Sequence, residues 1–457
     1  MRENGNMDTY IHRNNSDKRA SGFTDDEEAE EENMAILDKE SNNIKAKNFY
    51  DNFKFNLNEI ICIANISATA FGVGSFTFPF ILYEIGVFTS LLIFIFLSAS
   101  VYYTLDLLRR FIVDSKSFSY SSITQTTLGS FWLRIYEISS FLFFMSCIVN
   151  YLNIIVKLAD GMMNFLDNTV LKIFYFLITY LIEVFLCLYT SHISKMFILS
   201  IISFITFIII LFTVIIKGIF YLFTDDDRFK NFRAFSFKES SSGWQNFLKL
   251  MAQIIEFFYG YFYHSTFPTL LSDLENLQNE NTKRIHKCSF SIITIFYIFF
   301  SIFGLFCIND DNQGEKQLFI NEIDLKDNTA LNCIFKTIII LFFFSLIPVR
   351  YINIRDNYSS IIIQENLSLK IEIVITSVCL LINNIFVYLQ DFEDLIFHII
   401  LIFGGAFGVF IGFILPVINY VAINQKAKIR AIIGYCIAGI FFLIGFFSIF
   451  YNFDKKQ

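Results

Sequence analysis

Along most of this chain polar residues come in short clusters, and between the clusters the chain stays apolar for twenty residues or so. A helix needs about 20 such residues to cross the hydrocarbon layer of a bilayer. Eleven runs qualify, roughly 57–83, 86–112, 130–157, 170–190, 194–220, 246–271, 287–308, 331–350, 369–390, 395–422 and 430–451. Lipid offers backbone N–H and C=O groups no partner, so each run is expected as a helix. The predicted architecture is an all-α polytopic membrane protein of about eleven transmembrane helices. Residues 1–54 reverse the pattern with a polar, acidic stretch, and 453–457 form a short C-terminal tail. That leaves 55–452 as the transmembrane domain.

Composition sharpens this reading. Hydrophobic residues make up 55% of the 457 positions and charged residues 17%, against about 25% charged in a soluble domain. A water-facing surface cannot accommodate that surplus, which excludes a soluble enzyme. The eight cysteines lie in or beside apolar runs with no ligand spacing, and read as small buried hydrophobes. Cys307 and Cys333 flank one loop and are the one pair placed to bridge it. No metal, cofactor or nucleic-acid partner is expected.

Charge sets an expected orientation. The net charge of −7 owes much to Asp25–Glu32, within a tail too poor in apolar surface to order itself. The tail lacks the basic-then-apolar pattern of a signal peptide, so it is expected in the cytosol. Glu32–Leu37 has the spacing of an acidic dileucine sorting signal, and a plasma membrane and an acidic or vacuolar compartment both stay open. With the tail inside, the inner connections hold Arg109, Arg110, Lys283, Arg284, Lys287 and Arg350, as the excess of cytoplasmic Lys and Arg requires. An odd span count puts the C-terminus outside or in a lumen. The sequons at Asn14, Asn357 and Asn366 then fall on the inner side.

The prolines and glycines suggest where helices break. All four prolines, Pro79, Pro268, Pro348 and Pro416, lie within apolar runs, where each removes a backbone hydrogen bond. The first span adds Gly72, Gly74 and Gly86 to Pro79, enough to leave a short unwound stretch. Such a stretch exposes backbone groups and half-helix dipole ends that can hold a carboxylate and an ammonium. The sixth span repeats Thr77-Phe78-Pro79 as Thr266-Phe267-Pro268, after Gly260. Broken helices five spans apart are the mark of a five-plus-five inverted repeat, here with one extra helix.

With these residues in view the chain resembles the amino acid/auxin permease family, within the amino acid-polyamine-organocation superfamily, and its neutral amino acid branch in particular. Gly72, Gly74, Pro79 and Gly86 fit that family's first-helix pattern without gaps. Asn65-Ile66-Ser67, the stretch from His264 to Asp273-Leu274, Ile347-Pro348-Val349-Arg350, and Phe403–Gly408 running to Leu415-Pro416 resemble further family segments in the right order. In the second of these the proline is offset by one residue. The resemblance implies transport of amino acids by alternating access, by a monomer. By carry-over the substrate site is Thr69, Gly72, Val73, Gly74, Ser75 and Phe76, facing Tyr263, His264 and Ser265. Tyr151 of the third span joins as a further wall. The positions that hold sodium in coupled members correspond to Ala68 and Leu341, which offer no oxygen to a hard cation. Proton-coupled or uncoupled transport is therefore expected.

Ionisable residues at membrane depth usually face a cavity or a partner. Glu256 and His264 of the sixth span are the proton-coupling candidates. Glu137 and Glu183 are also deep, and Lys157 and Lys336 lie near span ends where they can snorkel. The competing reading is an amino acid sensor on the same fold, signalling through the N-terminal tail. A membrane-embedded enzyme would need paired catalytic groups at depth, and none is visible.

Overall fold

In the computed structural model the described residues are 55–454, apart from 165–167, 191–192, 225–231, 235–242, 273, 275–276, 309–328, 363–368, 389–404 and 425–427. The N-terminal tail with its sorting-type motif, Asp273, Phe403, Gly404, Asn14 and Asn366 lie outside them. Among the described residues all regular structure is helical. Nine helices are long and apolar enough to cross a membrane, and ten if one bent pair counts as a single span.

That bent pair is the first span. Helix α1 (Leu57–Ala70) and α2 (Val73–Ile85) are separated at Phe71–Gly72 and bent by 56°. A capping box starts α1: the Asn56 side chain accepts from Glu59 N at 2.8 Å, and Glu59 Oε2 accepts from Asn56 N at 3.0 Å, which satisfies two otherwise orphaned donors. Pro79 lies inside α2, which continues through it. Gly86, at φ 88°, then turns the chain directly into α3 (Val87–Ser115). Only glycine holds that conformation without strain, which is how so short a connector between the first two spans is built.

A helix absent from the sequence reading follows. Helix α4 (Tyr120–Leu128) lies between the second and third spans and packs on α5 (Ser130–Met163). Its row of Ser and Thr residues masks it from a hydropathy count. Helices α6 (Thr169–Tyr189) and α7 (Ile193–Thr224) complete the first five spans.

The sixth span is again divided, into α8 (Gly243–Gly260) and a short α9 (Phe267–Leu271) with six non-helical residues between them. Pro268 falls in the first turn of α9, where its missing N–H costs nothing. Neither half passes the length and hydropathy test for a span. Helices α10 (Asn279–Leu305), α11 (Thr329–Ile362) and α12 (Leu369–Tyr388) follow. The tenth span carries a π-helical turn at Phe410–Ile414 before α13 (Leu415–Ile423), and α14 (Lys428–Asp454) is the eleventh. Tyr120 of α4 donates to the Ile411 carbonyl of that π turn at 2.8 Å.

Helix α11 runs well past the expected end of the eighth span. Arg350 is therefore not in an inner connection but within a helix and buried, and Asn357 of the sequon is buried in it too. The span was cut at Arg350 because a lone charge resembles a boundary. Cys307 and Cys333 are both free thiols, the first buried and the second exposed.

The two divided spans lie at the centre. Helix α1 packs on α7 and α10, and α2 packs on α8 and α10. Rings fill the space between, with Phe71 stacked on Phe207 at 3.9 Å and Phe413 on Phe441 at 3.7 Å. The outer faces stay apolar, as Phe174, Leu181 and Phe185 of α6 and Ile432, Phe442 and Leu443 of α14 show. An exposed apolar belt of this extent belongs against lipid.

Candidate functional site

The divided spans meet backbone to backbone. A Cβ added at Gly74 would come within 2.7 Å of Gly260 Cα, so the contact needs glycine at 74, while a Cβ at Gly260 would strike the Phe78 ring. Where a helix unwinds, its last carbonyls lose their partners and must find others. Two side chains from outside the breaks supply them. Tyr297 of α10 places its hydroxyl 2.7 Å from Ala70 O and 2.6 Å from Gly260 O, one carbonyl from each break. Arg350 of α11 donates from Nη2 to Thr69 O at 2.8 Å and from Nη1 to Phe262 O at 3.2 Å, again one from each. Its Nε donates to Tyr151 Oη at 3.1 Å.

Around these ties sit the residues expected at the site. Thr69, Ser75, Phe76, Tyr151, Tyr263, His264 and Ser265 are all buried, none more than 3% exposed. Thr69 and Ser75 turn their hydroxyls inward to their own helix, donating to Ile66 O at 2.8 Å and Gly72 O at 2.7 Å. A Cβ at Gly72 would sit 3.0 Å from Tyr151 Oη and 3.7 Å from Arg350 Nη2, so the break, the tyrosine and the guanidinium share one small space. Phe76 packs edge-on against Phe300 at 5.3 Å.

The second break differs in chemistry. His264 Nε2 lies 3.0 Å from Thr104 Oγ1 of α3. Its Nδ1, together with Tyr263 Oη and Ser265 Oγ, has no hydrogen-bond partner among the described residues. Buried polar atoms are nearly always paired, with protein or with water. Gly412 of the π turn lets the Phe258 ring pack close beside His264, since a Cβ on it would lie 2.5 Å from that ring and 3.5 Å from His264 Cε1.

Other expected residues lie further out. Glu256 is half-buried on α8, one turn before Gly260. Ala68 is buried on α1, whereas Leu341 is on the exposed face of α11, 51% open. Glu183 pairs with Asn384 Nδ2 at 2.8 Å between α6 and α12, and Glu137 pairs with Arg134 at 3.0 Å. Sequence reasoning missed the roles of Tyr297 and Arg350. Nothing marks Tyr297 among 22 tyrosines, and for Arg350 the signal was Pro348 two residues before it.

Ion pairs tie both ends of the divided spans. At one end Arg284 of α10 meets Glu59 at 2.9 Å, and Arg109 of α3, itself paired with Asp106, donates to Asn279 Oδ1 and Thr282 Oγ1 at 2.6 and 3.1 Å. At the other end Glu84 of α2 accepts from Gln253 and pairs with Lys249 of α8 at 3.5 Å. Among the described residues no cluster of three or more His, Cys, Asp or Glu side chains offers a metal site.

Two broken helices enclosing a closed polar site, with breakable ties at each end, define the architecture of a secondary transporter. The fold is shared with a solved structure described as the substrate-bound outward-open state of a sodium-coupled sialic acid symporter. The TM-score is 0.53 at 15% identity, over 86% of this chain and 87% of that one. Residues 59–454 match the model of a family described as transmembrane amino acid transporter protein, and the chain belongs to that family. A search of curated proteins finds no match.

Proposed function

We propose that this protein carries amino acids by alternating access without sodium, either with protons or uncoupled. The observation behind this is the use made of the breaks' carbonyls. Sodium at a broken helix would need several oxygen ligands. Here Thr69 O and Phe262 O each accept from the Arg350 guanidinium, and Ala70 O and Gly260 O share the single proton of Tyr297. A fixed cation already stands where a mobile one would go.

In this reading the substrate lies between Gly72–Phe76 and Tyr263–Ser265, with Tyr151 as a third wall. The first N–H groups of α2 and the unpaired atoms of the second break face it. His264 is the proton carrier within the site, and Glu256 is the candidate through which a proton enters. The ties at Glu59 and Glu84 open in turn as the site faces one side and then the other. The tail before residue 55 is on the cytosolic side, and the protein acts as a monomer.

The test is uptake of radiolabelled amino acids into liposomes holding the purified protein, with and without a proton gradient, in sodium or choline buffer. Uptake that ignores sodium is expected, and strict sodium dependence overturns the proposal. If a proton gradient drives uptake, Glu256→Gln is expected to remove that dependence.

A further inference from the structure

Arg350 poses a question that the transport reading leaves open. It is buried, 3% exposed, and a guanidinium cannot give up its proton to become neutral. Its three hydrogen bonds all go to neutral oxygens, those of Thr69, Phe262 and Tyr151. The ionisable groups around it include the phenols of Tyr151, Tyr259 and Tyr297 and the thiol of Cys147. Among the described residues no carboxylate pairs with it.

The contrast with the other buried arginine is instructive. Arg109 also makes hydrogen bonds to neutral atoms, yet it pairs with Asp106 at 2.7 Å. Hydrogen bonds alone satisfy donors but leave the charge uncompensated, and a buried unpaired charge is strongly unfavourable. Three of the five N–H groups of Arg350 are engaged, which leaves one on each terminal nitrogen. Of these, Nη2 lies beside Gly72 at the start of α2, whose own first N–H groups favour negative charge.

We infer that Arg350 is the anion anchor of the substrate site: it pairs with the carboxylate of the transported molecule, and it restricts transport to carboxylates of zero or negative net charge. Cationic amino acids and polyamines are excluded, because each would bring a second positive charge beside a buried guanidinium. Tyr151 positions the anchor by accepting from Nε. The inference rests on the transport reading for the location of the site, but not for its test, which reads binding directly.

The experiment measures the melting temperature of the purified full-length protein with L-alanine, L-glutamate, L-alaninamide, ethylamine, L-lysine or putrescine. Competition by the same six compounds against amino acid uptake in liposomes runs beside it. L-Alanine and L-glutamate are expected to stabilise and compete, and the other four to do neither. In Arg350→Met protein that still melts cooperatively, KM is expected to rise roughly 100-fold or more, as when one partner of a buried charge pair is removed, and in Arg350→Lys, which keeps the charge but loses the fork of donors, to rise less. A purely structural role would instead lower kcat and leave KM nearly unchanged, and that result overturns the inference. So does binding of L-alaninamide, L-lysine or putrescine as tight as that of L-alanine. If neither variant folds, the wild-type comparison of L-alanine with L-lysine decides alone. Stabilisation by carboxylates with no uptake of any amino acid would overturn transport while supporting the anchor.

Discussion

The two breaks answer the same problem differently. The first spans only Phe71 and Gly72, and three of its carbonyls have side-chain partners: Arg350 for Thr69 O, Tyr297 for Ala70 O, and Ser75 for Gly72 O. The second spans six residues and leaves a phenol, an imidazole nitrogen and a hydroxyl unpaired at Tyr263, His264 and Ser265. A satisfied break is a structural joint. An unsatisfied one carries a cost that a ligand can offset. The first break is thus a joint that also carries the carboxylate's anchor through Arg350, whereas the second is free to read the rest of the substrate, and mutations at the two breaks should therefore fail in different ways.

The largest effect is expected where the breaks touch. Gly74→Val would force a branched side chain into the Gly260 backbone and should cost more than about 3 kcal/mol, with Gly74→Ala at about 1–3 kcal/mol. Both should lower the melting temperature and abolish uptake. A Gly74→Val protein with wild-type melting and transport would show that the contact is not needed.

Tyr297→Phe comes next. It removes the one hydroxyl proton that Ala70 O and Gly260 O share, and should destabilise by about 1–3 kcal/mol. The loss should appear as a lower melting temperature whether or not substrate is present. The second break predicts the opposite pattern. Tyr263→Phe and Ser265→Ala remove buried atoms that have no partner among the described residues, so the ligand-free protein should be as stable as before or more stable by about 1 kcal/mol. KM for the transported amino acid should nevertheless rise several-fold. Equal melting losses from Tyr297→Phe and Tyr263→Phe would erase the distinction between joint and reader.

The smallest effect belongs to the ties at the ends. Lys249→Met removes a partner of Glu84 on a partly exposed pair and should cost about 0.2–1 kcal/mol. Melting should hardly move, but the balance between the two facing states should. That shift is measurable as a changed ratio of influx to efflux in liposomes of uniform orientation.

Much of this was legible from the residues in order. Span positions, the joint at Gly72 and the echo at Thr266-Phe267-Pro268 are local signals, because a membrane imposes the same length and polarity on each segment separately. The extension of α11 was not legible, because Arg350 reads as a boundary until its partners are known. Helix α4 was not either, since its Ser and Thr hydroxyls bond back to their own helix, as Thr124 does to Tyr120 O at 2.9 Å, and leave no apolar run. Leu341 shows the limit of placing residues by family pattern alone: a shift of one position along a helix turns a side chain by about 100°, and Phe342, the next residue, is the buried one.

By itself, then, the sequence determined that the chain is a bundle of apolar helices and that two of them break, since hydropathy, proline and glycine act within a few residues of where they stand. Tertiary structure alone decided what becomes of the freed backbone. Arg350 reaches Thr69 across 281 positions and Phe262 across 88, and Tyr297 reaches Ala70 across 227. No local rule selects those partners, because a hydrogen bond depends on distance in space, and only the packing of α10 and α11 against the two breaks brings these groups within 3.2 Å.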